Sequence, residues 1–337
     1  MRTHDVALGL APRRSRAREV LSLLGRRALV GVPATAGITA AVFWLASLAP
    51  FNPLAQYLGT QYEHSTPEQR AALTEQLGLD DAWYAIWGRW MTGVMRGEAG
   101  TSRVFGQPVT QVISERLPYT ALLVGLGLLV AMVLSVLLAV CAARRPGSPL
   151  DTVALSLVHL AQAIPPFVLG LVAIAIFAIG LGLPAGGSTS GGLDPTPAGI
   201  ALHLVLPVGV LAMTLLPWLV LNLRASVLEA LESDAVLAAR GRGLSEFTVL
   251  RTQVLPVALL PFITVVGSRL GELVTGALLI EAVFSWPGLA SATVSSAIAG
   301  DFPLLAAVTA LSCAVVFAGS ALADASYLVL DPRVSDV

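Results

Sequence analysis

Six apolar runs, each long enough to cross a bilayer, alternate along the chain with polar segments of unequal length. They fall at residues 28–49, 117–143, 150–183, 198–223, 257–284 and 302–329. Each supplies the ~20 apolar residues that a helix requires to cover the hydrocarbon core. The pattern predicts an all-α polytopic membrane protein with six transmembrane helices. Pro165 and Pro166 interrupt the third run and predict a kink or break near mid-membrane.

The segment at 50–116 is polar by comparison, mixes acidic and basic residues, and suits an external loop with structure of its own. Thr66, Pro67 and Gln69 read as N-cap, first-turn proline and capping-box glutamine of a helix that runs through Leu73 and Leu77 and stops at Gly78. Trp83, Trp87 and Trp90 then share one helix face. That face either lies at the membrane interface or packs against the protein's own helices. The segments at 184–197 and 285–301 read as short external turns.

Arginine placement orients the spans. Arg2, Arg13, Arg14, Arg16, Arg18, Arg26 and Arg27 precede the first run, Arg144 and Arg145 follow the second, and Arg224, Arg240, Arg242 and Arg251 lie between the fourth and fifth, whereas 184–197 and 285–301 contain none. By the positive-inside rule the tail 1–27, the stretch 224–256 and both termini are cytoplasmic. A cleaved signal peptide is the competing reading of the first run; its length and the long tail before it favour an uncleaved span.

The stretch 224–256 divides into two short helices around a glycine pair. Leu228, Leu231, Ala235 and Ala238 recur at helical spacing with Glu229, Glu232 and Asp234 on the other side, an amphipathic pattern. Gly241 or Gly243 supplies a left-handed cap, and Ser245 caps a second helix with Glu246 in its first turn. Leu255 before Pro256 loosens that helix before the chain re-enters the membrane. The form is that of a docking surface, and equally of an ordinary loop between spans.

Composition sharpens this. With 55% hydrophobic and 12% charged residues and a mean hydropathy of +0.79, the chain is too apolar for a soluble domain. A net charge of −1 offers no basic field for nucleic acid. Cys141 and Cys313 lie far apart inside apolar runs and read as buried, inert thiols. All 20 cationic residues are arginine. Without lysine no P-loop and no Schiff-base chemistry are possible, so the chain does not hydrolyse ATP through a Walker site of its own.

No set of residues reads as a catalytic, metal or cofactor site. Arg269 and Glu272, three residues apart in the fifth run, either line a translocation pathway or offset each other inside the bundle. Glu281 and Asp324 lie nearer span ends. Ser156 and His159 lack the acid and nucleophile motif of an intramembrane hydrolase.

Several motifs resemble a known family. TPEQRAALTEQLGLDD at 66–81, RWMTGVMRGEAGTS at 89–102, PV at 108–109 and ERLP at 115–118 are similar to a subgroup of inner-membrane permeases with a long first loop. Ile164, Pro165, Phe167 and Gly170, AARGRGLSE at 238–246, Glu281 with FSWPGL at 284–289, and Asp331, Pro332 and Arg333 extend the likeness from residue 28 to residue 333. The chain thus resembles the permease subunits of ABC importers for dipeptides, oligopeptides and nickel. The resemblance implies a type I ABC importer permease fold, with span one at 28–49 and a permease core at 117–333. It further implies that Ala239, Arg240, Gly241, Gly243, Leu244, Ser245 and Glu246 couple to a separate ATPase; Arg269, Glu272 and Glu281 are candidates for the pathway on their own charge and position, not through the resemblance. ATP and Mg would then be bound by two cytoplasmic ATPase subunits. The other expected partners are a second homologous permease and an extracytoplasmic substrate-binding protein, all at a bacterial inner membrane. Di- or oligopeptide is the first expected cargo and a nickel or other metal chelate the alternative. An ion-gradient-driven transporter or channel using Arg269, Glu272 and Asp324 is the rival of another class.

Three departures stand out. Ala49-Pro50-Phe51-Asn52-Pro53 replaces the family's leucine-proline-glycine-aspartate-proline run, Gly241 stands where alanine is common and predicts a looser hinge, and Arg269 and Glu272 occupy positions expected to be uncharged.

Overall fold

The computed structural model describes residues 16–48, 53–59, 61–77, 81–189, 196–268 and 270–330. The tail before Arg16, residues 49–52, Gly78, Arg269, and Asp331, Pro332 and Arg333 lie outside the described residues, as does the side chain of Glu272. Among those described, five helical stretches are long and apolar enough to cross a membrane, or six if a bent helix pair is counted as one span.

Helix α1 (Arg16–Leu48) is followed by short helices α2 (Pro53–Leu58), α3 (Gln61–His64) and α4 (Pro67–Leu77) and by α5 (Trp83–Met95). The capping box opens α4 as expected: Gln69 N–H donates to Thr66 Oγ1 at 3.3 Å, and Thr66 N–H to Gln69 Oε1 at 3.0 Å. The α5 tryptophans face the protein's own helices. Trp87 Nε1 donates to Thr39 Oγ1 of α1 (3.2 Å), Trp90 packs on Phe43 with ring centroids 5.5 Å apart, and Trp90 Nε1 donates to Ala99 O at 3.1 Å. Burying an indole is favourable only when its N–H keeps a partner, and both are satisfied here.

A two-residue ribbon, β1 (Thr101–Ser102) against β2 (Gln107–Pro108), leads into α6 (Val109–Ala143). This helix begins eight residues before the apolar run at 117, because Gln111, Ser114, Glu115 and Arg116 are polar yet helix-compatible. Hydropathy marks the edge of the membrane and not that of the helix. The third span breaks completely: α7 (Pro149–Ala163) and α8 (Pro166–Ala173) meet at 106°, and α8 continues as a π-helical turn over Ile174–Ile179. Ile164 adopts φ −97°, ψ 125°, the extended conformation that a following proline imposes.

Helix α9 (Pro197–Leu231) packs along α6 so closely that a Cβ on Gly127 would lie 2.6 Å from Leu211 Cδ2. Small residues permit such approach between membrane helices. Next come α10 (Asp234–Gly241), α11 (Glu246–Val249), a π-helical turn (Leu250–Val254), α12 (Leu255–Ser268) and α13 (Leu270–Val283). The loosening expected before Pro256 takes the form of that π-helical turn, and the helix is not ended. The missing N–H of Pro256 is absorbed by the wider π turn, and the helix runs on into α12.

The segment 285–301, read as a turn, contains α14 (Leu289–Ala299), ended by Gly300 in the left-handed conformation (φ 65°), before α15 (Phe302–Leu330). Both cysteines are free, and Cys141 lies on the outer surface of α6, contrary to its reading as buried. An apolar run does not distinguish core from lipid.

Candidate functional site

At the arginine-rich end of the bundle, α10 and α11 form a rigidly capped pair. Gly243 takes φ 77°, which only glycine adopts without strain, and α10 ends in a Schellman motif. In that motif Gly243 N–H donates to Arg240 O (2.9 Å) and Leu244 N–H to Ala239 O (3.2 Å). Ser245 caps α11, its Oγ accepting from Thr248 N–H at 3.3 Å. Arg240 then closes the turn with a forked contact to Glu246, Nε to Oε1 at 2.9 Å and Nη2 to Oε2 at 3.0 Å. This carboxylate raises the Arg240 guanidinium above its ordinary value, so its charge is fixed. The pair is exposed and contributes direction more than stability.

The inner face of this unit differs from the sequence reading. The core receives Val236 and Ala239, with Val249 and Val254, while Ala235 and Ala238 point outward. The chain breaks at Glu232 and Ser233 between α9 and α10, which resets the helical phase by one residue. Leu228 and Leu231 do pack on that core, from the end of α9. On the opposite side Leu237 (60% exposed), Phe247 (68%) and Leu244 (38%) present apolar surface. Exposed apolar patches at the end of a bundle are candidate interaction sites.

The stem of the unit is clamped to the start of the third span. Arg224 near the end of α9 donates to both carboxylate oxygens of the buried Asp151, Nε to Oδ1 at 3.0 Å and Nη2 to Oδ2 at 2.8 Å. Asp151 also accepts from Gly147 N–H at 2.9 Å. A bidentate ion pair thus ties the end of α9, which leads into α10, to the first turn of α7.

Gly241, the departure from alanine, is the last residue of α10; it is exposed, and nothing lies within 4 Å of a Cβ added there. Gly241→Ala is expected to stabilise the α10 terminus by about 0.5 kcal/mol, read as slower amide exchange over 234–241.

The far end of the bundle carries a second constellation. Glu281, fully buried near the end of α13, accepts from Thr120 Oγ1 (2.6 Å) and from Ala290 N–H (2.8 Å) in the first turn of α14. Thr120 Oγ1 in turn accepts from Leu289 N–H at 2.8 Å. The carboxylate thus caps α14 from another helix, where Gly288 at the N-cap has no side chain to do so. Trp286 Nε1 donates to Tyr119 O (3.0 Å), and Arg116 reaches Ser291 Oγ (3.1 Å). The motifs ERLP and FSWPGL, far apart in sequence, are thereby one structural unit. Ser285 within it has φ 47°, a conformation costing of order 1–3 kcal/mol for a non-glycine residue.

Asp301 was not singled out from the sequence. It is buried, accepts from Ser102 Oγ (2.5 Å) and Val104 N–H (3.2 Å), and so ties the β ribbon to the start of α15. Asp324 pairs with Arg27 of α1. Ser156 and His159 lie on the exposed side of α7, and among the described residues no cluster of three or more His, Cys, Asp or Glu forms.

Comparison with known proteins identifies the family. The family described as binding-protein-dependent transport system inner membrane component matches residues 131–336. The oligopeptide transport system permease protein AppB of Bacillus subtilis is 33% identical over 92% of this chain and 98% of its own length. A putative peptide permease protein of Brucella suis is 32% identical over 91% of this chain and 97% of its own. Among solved structures, the MetNI methionine ABC transporter in inward-facing conformations aligns with a TM-score of 0.51 at 18% identity, covering 64% of this chain and 96% of that one. This last likeness concerns the fold alone.

Proposed function

We propose the following role for this chain, which belongs to the family of binding-protein-dependent transport system inner membrane components: it forms half of the translocation pathway of a peptide importer, driven by an ATPase docked on α10 and α11. The chain is a multi-pass permease subunit of an ABC importer, not itself an enzyme. One observation carries the docking assignment: Leu237 and Phe247 are exposed on a capped unit whose other face is sunk in the core.

In this reading both termini and α10–α11 face the cytoplasm. ATP and Mg are held by two ATPase subunits, consistent with a chain that has no lysine for a P-loop. Closure of the ATPases draws the docked helices together, and rigid-body motion passes through Arg224 and Asp151 to the bundle. A second, homologous permease completes the pathway, and an extracytoplasmic binding protein delivers cargo to the opposite end. The names of the relatives support a peptide as that cargo.

The test is uptake of labelled short peptides by the complex reconstituted with its binding protein. Peptide accumulation that stops on ATP depletion is expected; preference for a nickel chelate would reassign the cargo, and uptake surviving ATP depletion would overturn the mechanism. Arg269 and Glu272 are assigned to the pathway lining. Replacing both together is then expected to abolish uptake in a folded complex, whereas a double variant milder than either single change would make them a structural pair.

A further inference from the structure

We propose that the groove between α1 and α15 binds one anionic phospholipid of the surrounding bilayer, an acyl chain lying in the groove and the phosphate at Arg26 and Arg27. The groove encloses about 450 Å³. It follows α1 from Leu24 to Thr39, ~22 Å by helical rise. Its floor is apolar and flat: a Cβ on Gly31 would lie 2.9 Å from Phe317 Cγ, so the ring rests against the α1 backbone, and Ala314 faces the same space. Leu24 and Val32 on its wall are 40% and 69% exposed, so it opens sideways and not into the bundle. The end away from Arg27 is closed by α5, which packs on α1 through Thr39 and Phe43.

Size and charge select the occupant. The groove is apolar, open on its outer side and narrow, the shape of a seat for one extended hydrocarbon chain. At the other end Arg27 donates through Nε and Nη2 to Asp324, which holds the guanidinium at the groove mouth, and the neighbouring Arg26 is exposed. Residues 1–27 contain seven arginines against two acidic residues, leaving positive charge that Asp324 does not offset. Basic residues flanking a span attract anionic headgroups, and basic pockets between helices hold them.

The test uses the assembled importer in bilayer nanodiscs and phosphatidylglycerol carrying a photoreactive group in its acyl chain. Labelling is expected to concentrate on residues 24–39 and 310–321, and unlabelled phosphatidylglycerol should compete about tenfold better than phosphatidylcholine. Ala314→Leu, on the exposed side of α15, should remove the groove labels and leave other labels unchanged; Arg26→Gln should keep them and lower the headgroup preference. Labels spread evenly over the exposed apolar helices would overturn the proposal, as would a groove shielded in the complex by a partner's helix, or equal competition by both lipids. If Ala314→Leu does not assemble, competition in the unaltered complex decides.

Discussion

Phe247→Glu is expected to release the ATPase subunits while leaving the permease inserted and monodisperse. Phe247 is 68% exposed and stands on α11, whose buried contact is made by Val249. Adding a charge there leaves the Schellman cap, the Ser245 cap and the core positions Val236, Ala239 and Val249 untouched. A central aromatic anchor in a protein interface is worth ~2 kcal/mol or more, so ATPase retention in a pull-down should fall at least about 30-fold. Leu237→Glu, on the neighbouring α10, should act the same way. Gly243→Ala should differ: it strains the αL position by about 1–2 kcal/mol and turns the unit without removing its surface, giving partial retention and reduced coupling. Undiminished ATPase retention by Phe247→Glu in a folded permease would place the docking surface elsewhere.

What the chain revealed by reading alone follows the range of the interactions concerned. The capping box at Thr66 and Gln69, the Ser245 cap and the left-handed Gly243 are settled within a few residues, and their backbone geometry agrees with the reading. The break at Pro165 is equally local, since proline constrains its predecessor whatever surrounds it. The buried face of α10 was misplaced by one residue because periodicity was carried across Glu232 and Ser233, where the helix stops and restarts. The tryptophans of α5 left two readings open because amphipathicity names a face and not what covers it. Thr39 and Phe43, far earlier in the chain on α1, decided between them.

Helix α14 escaped notice for a related reason. LASATVSSAIA carries neither charge alternation nor a long apolar run, and its N-terminus lacks a capping residue of its own. The cap comes from Glu281, on the preceding helix, and from Thr120, 161 residues away from Glu281. A carboxylate read as near a span end and as a pathway candidate is, in this structure, buried and engaged in holding a turn. Both ends of the molecule thus use a buried carboxylate to join helices: Asp151 holds Arg224 of α9 at one end, and Glu281 caps α14 together with Thr120 at the other. In each case the lock joins segments that hydropathy assigns to different spans.

Gly288→Ala tests the far lock. A Cβ at this position would lie 2.2 Å from Glu281 Oε1 and 2.3 Å from Cδ and Oε2, far inside contact distance of a group that is itself buried. The φ of −91° is open to any residue, so the requirement for glycine is one of space alone. The carboxylate must leave its place, and the Ala290 N–H and Thr120 hydroxyl lose their partner. Overpacking costs about 1–3 kcal/mol and a buried unsatisfied polar group about 1–3 kcal/mol, so Gly288→Ala should destabilise by about 3 kcal/mol and abolish uptake. Glu281→Ala removes the obstacle but also the cap, and should cost about 1–3 kcal/mol. The decisive comparison is the pair together. With the carboxylate gone, the added methyl has room, and Gly288→Ala should then be neutral to within ~0.5 kcal/mol of Glu281→Ala alone, measured by thermal unfolding of the purified complex. Additive losses would mean that the glycine serves the backbone and not the carboxylate, and that α14 is held by something other than Glu281.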